Sequence, residues 1–285
     1  MNILFNTYYS IINVPALAES MQPLVDLVAP RRLQGPDAPL VLNWSCQLPQ
    51  LIARISGETT VGLKLSAVQI FCMCVAAACA GGFLVSENWI LHNLLGIAFC
   101  LQAIAIISLG RFYVAFILLW GLFAYDVFWV FGTDVMVSVA KSFKAPAKLV
   151  FPVQMQPEFK SSILGLGDIV IPGIFIAMCL RLDFYSAGLH TAVEGKLNIH
   201  QPFRKGHFWV VLAAYLVGLC ISVYVMFMWE HAQPVLLYLV PLCTGAVVAF
   251  AASQGTLKQL WAYDEMAQAT APSVDPPTEP EKKED

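Results

Sequence analysis

"FYVAFILLWGLFAYDVFWVF", residues 112–131, is an apolar run in which Asp126 is the only charged side chain. About 20 helical residues cross the hydrocarbon layer of a bilayer, so this run predicts a transmembrane helix. Five further runs have the same length and apolar character, at residues 66–86, 89–109, 162–180, 207–229 and 234–252. Helices satisfy their backbone polar groups internally, which makes them the expected form of all six spans.

The composition agrees with a membrane protein. Hydrophobic residues make up 58% of the 285 residues and charged residues only 12%, whereas soluble domains carry about 25% charged residues. Residues 3–18 form a weaker apolar segment, interrupted by Asn6, Asn13 and Pro15. The sequence therefore predicts an all-α, polytopic helical membrane protein with six clear spans. Residues 3–18 are either a partial seventh span or a buried or interfacial helix.

Lysine and arginine residues are unevenly divided between the two sides of the membrane. Six spans bring both ends of the chain to one side, and twelve of the sixteen basic residues lie there. The other side has Lys141, Lys144, Lys148 and Lys160. The positive-inside rule then predicts a cytosolic C-terminus. Lys282 and Lys283 lie fourth and third from the end, as in the dilysine signal of endoplasmic-reticulum membrane proteins, which predicts that location.

Three segments follow from these spans. Residues 1–65 form an N-terminal segment, with the partial span followed by a cytosolic loop, and residues 66–252 form the membrane domain. Residues 253–285 become acidic and proline-rich, which predicts a largely disordered cytosolic tail.

Two carboxylates lie inside predicted spans. Asp126 is five residues before the end of its span, and Asp168 is about six residues into the next one. The chain reverses between them, so both are expected at a similar depth. A charged side chain at the centre of a lipid-embedded helix costs about 3 kcal/mol, which usually marks a functional site. The other acids near the spans are expected to reach headgroups or water at span ends: Glu87, Asp134, Asp183 and Glu230.

A pair of neighbouring carboxylates supports three readings. Such a pair holds one proton near neutral pH, so its ionised member takes a proton from water while its protonated member donates to a peptide carbonyl. The same acids could instead relay protons or bind a cation in a transporter, or serve structure alone. The carboxylate pair alone does not distinguish between hydrolysis, transport and a purely structural role.

Glycine and proline surround the second acid. Gly165 and Gly167 loosen the predicted helix before Asp168, and Pro172 lacks the N–H that would bond the carbonyl of Asp168. Exposed backbone of this kind can hold an unwound peptide as an added strand, although glycine and proline also serve helix packing in membranes.

Pro234 and Pro241 predict a similarly irregular start of the last span, or an ordinary kink.

Cysteine and histidine residues show no metal-ligand spacing. Cys72 and Cys74, two residues apart on a helix, point about 200° from each other. No metal or other cofactor is predicted.

Three motifs in order, "AYDVFWVFGTDVMVSVAKSF", "LGLGDIVIPGIFIA" and "HAQP.LLYLVP" (residues 231–241, with Val235 at the dot), resemble those of signal peptide peptidases, the presenilin-type intramembrane aspartyl proteases. The resemblance covers about residues 88–265 and implies a presenilin-like bundle. It also implies a GxGD-type endopeptidase in which Asp126 and Asp168 are catalytic. The residues that it implies shape the site or bind substrate are Tyr125, Gly165, Leu166, Gly167, Gln233, Pro234, Val235 and Leu236.

The same resemblance implies partners and a location. The expected substrates are signal peptides and other type II segments embedded in the endoplasmic-reticulum membrane. The lipid bilayer is the second partner, nucleic acid is not expected, and a homo-oligomer stays open.

Two departures from the family pattern modify these expectations. Val235 replaces the alanine of the family, and its β-branched side chain adds bulk, so narrower substrate choice or a reduced rate is expected. The first two spans of the family have no counterpart, and residues 1–18 resemble a remnant of the third, as in an incomplete reading frame or a shortened form. The alternatives are a weak or inactive client-binding membrane protein and a proton-coupled transporter.

Overall fold

A computed structural model describes most of the chain. The described residues are 2–28, 40–47, 60–86, 88–132, 148–154, 160–188, 203–229 and 234–265. The chain divides into two compact units. The first comprises Met1–Ile107 and Thr133–Ile174, and the second comprises Ser108–Gly132 and Phe175–Asp285.

Helices dominate the described chain. In chain order they are α1 (Asn2–Val28), α2 (Ala67–Ser86), α3 (Trp89–Ile106), α4 (Phe112–Gly132), α5 (Gly167–Ser186), α6 (Gly206–Trp229), α7 (Leu236–Ser253) and α8 (Leu257–Ala262). Helices α2 to α7 are each long and apolar enough to cross a membrane. The predicted polytopic helical membrane protein with six spans is confirmed.

The N-terminal helix α1 is longer than predicted, because it continues to Val28 instead of ending near residue 18. It packs against α2 and α3 in the first unit, with Leu17 in a core cluster that includes Cys72 and Leu95. Ser10 and Asn13 are buried as well. These contacts match the predicted alternative of a buried helix. Helix α1 is not among the six apolar helices that could cross a membrane.

Two antiparallel hairpins in the first unit were not predicted. β1 (Leu40–Gln47) pairs with β2 (Thr60–Ser66), and β3 (Lys148–Gln154) pairs with β4 (Lys160–Gly165). The expectation that a helical span begins at residue 162 is therefore wrong, since α5 begins at Gly167. Residues 160–165 pair with β3 instead, and the two glycines next to Leu166 are poor helix formers.

In the second unit, α6 and α7 pack along a stripe of small and aliphatic residues. Val211, Gly218 and Ser222 are the buried residues in the middle of α6, and those of α7 include Leu239 and Cys243. Their spacing of three, four or seven residues places each set on one helix face. A Cβ atom at Gly218 would lie 3.0 Å from Cδ2 and 3.4 Å from Cα of Leu239. Glycine at 218 thus permits the close approach of the two helices.

Replacing Gly218 with valine is expected to lower the free energy of unfolding by about 2 kcal/mol, because the added methyl groups overpack the contact with α7. Gly245→Val is the matched control, since nothing lies within 4 Å of a Cβ at that position. The measurement is thermal unfolding in detergent, followed with a thiol-reactive fluorogenic dye that reports exposure of buried cysteines such as Cys243. Equal midpoints for the two variants would contradict this packing role.

The residues that follow α8 return to the start of α4 and the end of α5. Asp264 forms an ion pair with Arg111, and Oε1 of Glu265 lies 3.0 Å from Nη1 of Arg181. Tyr263 is buried, and burial raises the pKa of its phenol to about 12. Helix α8 and residues 263–265 belong to the segment predicted as a tail, and residues 266–285 lie outside the described residues.

Asp183 occupies the junction of α5 and α6. Its Oδ1 accepts the backbone N–H of His207 at 3.2 Å and lies 2.6 Å from Nδ1 of that residue, while Oδ2 accepts the N–H of Phe208 at 2.9 Å. Only 4% of Asp183 is exposed. The expectation that this acid reaches headgroups or water is therefore wrong. The carboxylate caps the first orphan N–H groups of α6 instead.

Candidate functional site

Asp126 contacts the start of α7. The carboxylate is half-buried on α4, and its Oδ2 accepts the backbone N–H of Leu236 at 3.1 Å. The two residues are 110 positions apart in sequence, yet both belong to predicted motifs and to the second unit. The hydrogen bond thus brings the first acid together with the proline-containing element.

The way α7 begins explains why this N–H is available. The Pro234 carbonyl accepts the N–H of Leu237 at 3.2 Å, and the Val235 carbonyl accepts those of Tyr238 and Leu239. Leu236 is the first residue of the helix, where a backbone N–H has no partner within the helix. A carboxylate is a favourable acceptor there, because the N-terminal end of a helix carries partial positive charge.

The other predicted residues of the second unit that the structure describes are Tyr125, Pro234 and Val235. Pro234 and Leu236 are buried, and Val235 is half-buried in a helical conformation directly before the donating N–H. Tyr125 is 61% exposed, and its ring centroid lies 5.9 Å from that of Trp129. The predicted role of Tyr125 in shaping the site or binding substrate stays a prediction, and Gln233 lies outside the described residues.

The second acid, Asp168, lies in the first turn of α5 in the first unit. It is therefore not six residues into a helix, as predicted, because the preceding residues form β4. The buried Leu166 follows this strand directly, and its carbonyl accepts the N–H groups of Ile169 and Val170 at 3.2 and 2.9 Å. Asp168 is thus placed where strand β4 gives way to helix α5.

Gly165 lies close to the side chain of the acid. A Cβ atom at this position would lie 3.2 Å from Oδ2 of Asp168, which is tighter than most real Cβ contacts. Gly167 lies beside Asp168 and is exposed. Pro172 lies inside α5, so its missing N–H leaves the carbonyl of Asp168 without the usual helix bond, as predicted.

Each unit therefore assembles one half of the predicted site. The second unit joins Asp126 to the 234–236 element, and the first unit groups Gly165 to Gly167 with Asp168. The meeting of the two carboxylates stays a prediction from the sequence.

Two polar side chains of α3 that belong to no recognised motif hold the hairpin before Asp168. Asn93 donates from Nδ2 to the Val150 carbonyl at 2.8 Å, and its Oδ1 accepts the Val150 N–H at 2.9 Å. Nε2 of His92 lies 2.8 Å from the Lys148 carbonyl oxygen. A polar residue inside an apolar run is the signal that could have identified Asn93.

Known proteins resemble this chain over most of its length. The family model described as signal peptide peptidase matches residues 1–267. The signal peptide peptidase of Mus musculus is 36% identical over 100% of this chain and 70% of its own length, and that of Homo sapiens is 36% identical over 93% and 66%. Intramembrane protease 2 of Caenorhabditis elegans is 44% identical over 64% of this chain and 40% of its own length.

The chain thus spans about two thirds of the length of the two mammalian relatives. The matched region includes the contact between Asp126 and Leu236 and the turn from Gly165 to Asp168. Because the family model covers far more than half of the residues, the chain belongs to the signal peptide peptidase family.

Proposed function

We propose that the chain is an intramembrane aspartic endopeptidase of the GxGD type, with Asp126 and Asp168 as its catalytic pair. The observation that carries this proposal is the hydrogen bond from the Leu236 N–H to Asp126, at 3.1 Å. This bond connects two of the three motifs through a group that can orient a reacting carboxylate. The names of the relatives, signal peptide peptidase and intramembrane protease, support the same reaction.

The two acids divide the work of hydrolysis. The ionised carboxylate takes a proton from a water molecule as the water oxygen attacks the peptide carbonyl carbon. The protonated carboxyl donates to the carbonyl oxygen, so that a tetrahedral diol forms without a metal or cofactor. Collapse of this diol returns a proton to the leaving nitrogen and breaks the C–N bond. The backbone N–H of Leu236 keeps one oxygen of Asp126 oriented throughout.

The substrates we propose are membrane-embedded signal peptides and other type II membrane segments. A helical segment hides its peptide bonds until it unwinds, and an unwound segment needs partners for its backbone groups inside lipid. Among the described residues, β4 pairs with β3 alone. We expect the other edge of β4 to accept substrate as an added strand, just before Asp168.

The location and chain organisation are part of the same proposal. We place the protein in the endoplasmic-reticulum membrane with a cytosolic C-terminus, as the distribution of basic residues and Lys282 and Lys283 suggest. Residues 66–252 then form the protease domain between the N-terminal segment 1–65 and the tail 253–285. Lys282 and Lys283 lie outside the described residues.

Reconstitution of the purified chain in liposomes tests the proposal. A labelled type II membrane peptide is added, products are identified by mass spectrometry, and proton flux is recorded in the same vesicles. Cuts inside the membrane segment are expected. Proton flux without any cut would favour a transporter. Peptide binding without any cut, by both the unaltered protein and Val235→Ala, would favour a client-binding protein.

Leu236→Pro is expected to lower the cleavage rate by about 10- to 100-fold, since a hydrogen bond to a charged group contributes about 1.5–3 kcal/mol. Proline is tolerated at the first position of a helix and removes only the N–H there. Leu236→Ala keeps the N–H and is the matched control. Because proline also disfavours the helical conformation of Val235, the unfolding midpoint of each variant is measured in parallel. Equal cleavage rates for both variants would contradict the role of this N–H.

A further inference from the structure

One face of α3 supports the hairpin that leads to Asp168. Asn93 and His92 bond to β3, and a Cβ atom at Gly96 would lie 3.1 Å from Cδ2 of Leu149 and 3.5 Å from Cδ2 of Leu166. One turn further along, Cys100 joins Leu149 and Leu166 in a buried cluster. Residues 92, 93, 96 and 100 share a helix face, so α3 contacts both β3 and the residue next to Gly167.

The hydrogen bonds from this face of α3 fall on alternate residues of β3. In an antiparallel pair, alternate residues direct both backbone groups toward the partner strand, and those between direct them outward. Val150 uses both its N–H and its carbonyl for Asn93, and the carbonyl of Lys148, two residues earlier, lies against His92. A carbonyl accepts only, so Nε2 of His92 is the donor in that contact. The outer edge of β3 is therefore bonded to α3.

The carboxamide of Asn93 bonds to β3 as a peptide group of a neighbouring strand would. It offers one donor and one acceptor, as a peptide group does, and both are used at 2.8 and 2.9 Å. Only 7% of Asn93 is exposed. If β3 shifted by one residue, the residue opposite Asn93 would direct its N–H and carbonyl toward β4 instead of toward α3. Both polar groups of the Asn93 carboxamide would then lose their partners. The pair of hydrogen bonds thus selects one register of β3 against α3.

That register extends to the acid. Val150 is opposite Ile163 and Lys148 is opposite Gly165 in the hairpin, and Gly165 approaches Oδ2 of Asp168. We propose that Asn93 is a positioning residue of the protease: it fixes the register of β3 against α3, and through the pairing of β3 with β4 it sets the position of Asp168 and of any substrate strand added beside it. This inference rests on the proposed function for its catalytic consequence, but the anchoring of β3 can be measured without it.

Asn93→Leu tests the inference, because leucine has a similar size and neither donates nor accepts. Gln102→Leu is the matched control on the same helix, where Gln102 bonds Glu19 instead of the hairpin. Hydrogen–deuterium exchange of the fragment 148–154 is followed by fragmentation to resolve Val150. We expect the Val150 amide to exchange at least about tenfold faster in Asn93→Leu and to be unchanged in Gln102→Leu.

Cleavage provides a readout that a purely structural role would not change. In Asn93→Leu, kcat is expected to fall about tenfold with KM within about twofold, because binding is retained while the reacting bond is misplaced. Mass spectrometry is expected to show cuts spread over neighbouring peptide bonds. Asn93→Asp, which keeps the acceptor but loses the donor to the Val150 carbonyl, is expected to show the same spread.

The outcomes separate the two claims. Unchanged Val150 exchange in Asn93→Leu would overturn the anchoring, even if the unaltered protein cuts the peptide. Faster exchange with an unchanged rate and unchanged cut positions would overturn the positioning role. If the unaltered protein cuts nothing, the proposed function and the catalytic consequence both fail, whereas faster exchange would still establish the anchoring.

Discussion

Replacing Asp126 with asparagine is expected to lower peptide cleavage by on the order of 10³-fold, since an amide can neither take a proton from water nor act as the acid. The change should leave the local structure intact, because the amide oxygen of asparagine can still accept the Leu236 N–H. Asp168→Asn is expected to have the same effect. The double variant should be no slower than either single one, because the two acids act as a unit.

Asp264→Asn is the matched control for these variants. Its side chain pairs with Arg111 beyond the membrane spans, and the amide oxygen can keep a hydrogen bond to the guanidinium. Its cleavage rate should stay within a few-fold of that of the unaltered protein. Rates are measured with the labelled peptide in liposomes. Retention of more than about one tenth of the rate by Asp126→Asn or Asp168→Asn would exclude the proposed aspartic mechanism.

Asp183→Ala is expected to lower the free energy of unfolding by about 3 kcal/mol or more, because buried donors left without an acceptor cost about 1–3 kcal/mol each. The groups that lose their acceptor are the backbone N–H of His207, that of Phe208 and the His207 ring nitrogen Nδ1. For a chain of this size the midpoint of thermal unfolding should fall by about 5 °C. The buried thiols of Cys179 and Cys243 report the transition with a thiol-reactive dye.

Two companion variants define the origin of that effect. Asp183→Asn keeps one acceptor oxygen and should lose about half as much stability. Ser186→Ala, one turn along the same helix, removes an exposed hydroxyl that donates to the carbonyl of Leu182 and accepts from the Gln259 side chain, so its midpoint should fall only slightly. An Asp183→Ala midpoint equal to that of Ser186→Ala would show that the cap does not stabilise α6.

The membrane helices could be predicted from the sequence because lipid imposes one simple requirement, a long apolar run. The boundaries of α4 and α6 follow the runs closely. The start of α5 does not follow its run, because residues 163–165 are nonpolar and yet pair with β3. Hydropathy records burial and not backbone pairing, so a strand leading into a helix has the same signature as one continuous span.

The candidate site was predicted unevenly for a related reason. Asp126 and Asp168 stand out because carboxylates are rare inside apolar runs. The donor to Asp126 is a backbone N–H, which every residue except proline has, so no side chain indicates it. Asp183 caps a helix that begins more than 20 residues later in the sequence. Only the tertiary fold shows that Asp183 is buried, and for this reason it was expected at the membrane surface.

The pairing of residues 264 and 265 with Arg111 and Arg181 bears on how the protein should be produced. A recombinant form trimmed after Ala262 would retain every apolar helix of the described chain, but two cations would lose their carboxylate partners. The aromatic ring of Tyr263, which packs between Phe112 and Tyr185, would also be lost. Expression boundaries drawn from hydropathy alone would therefore remove part of the folded second unit, and a purification tag is best joined beyond Glu265.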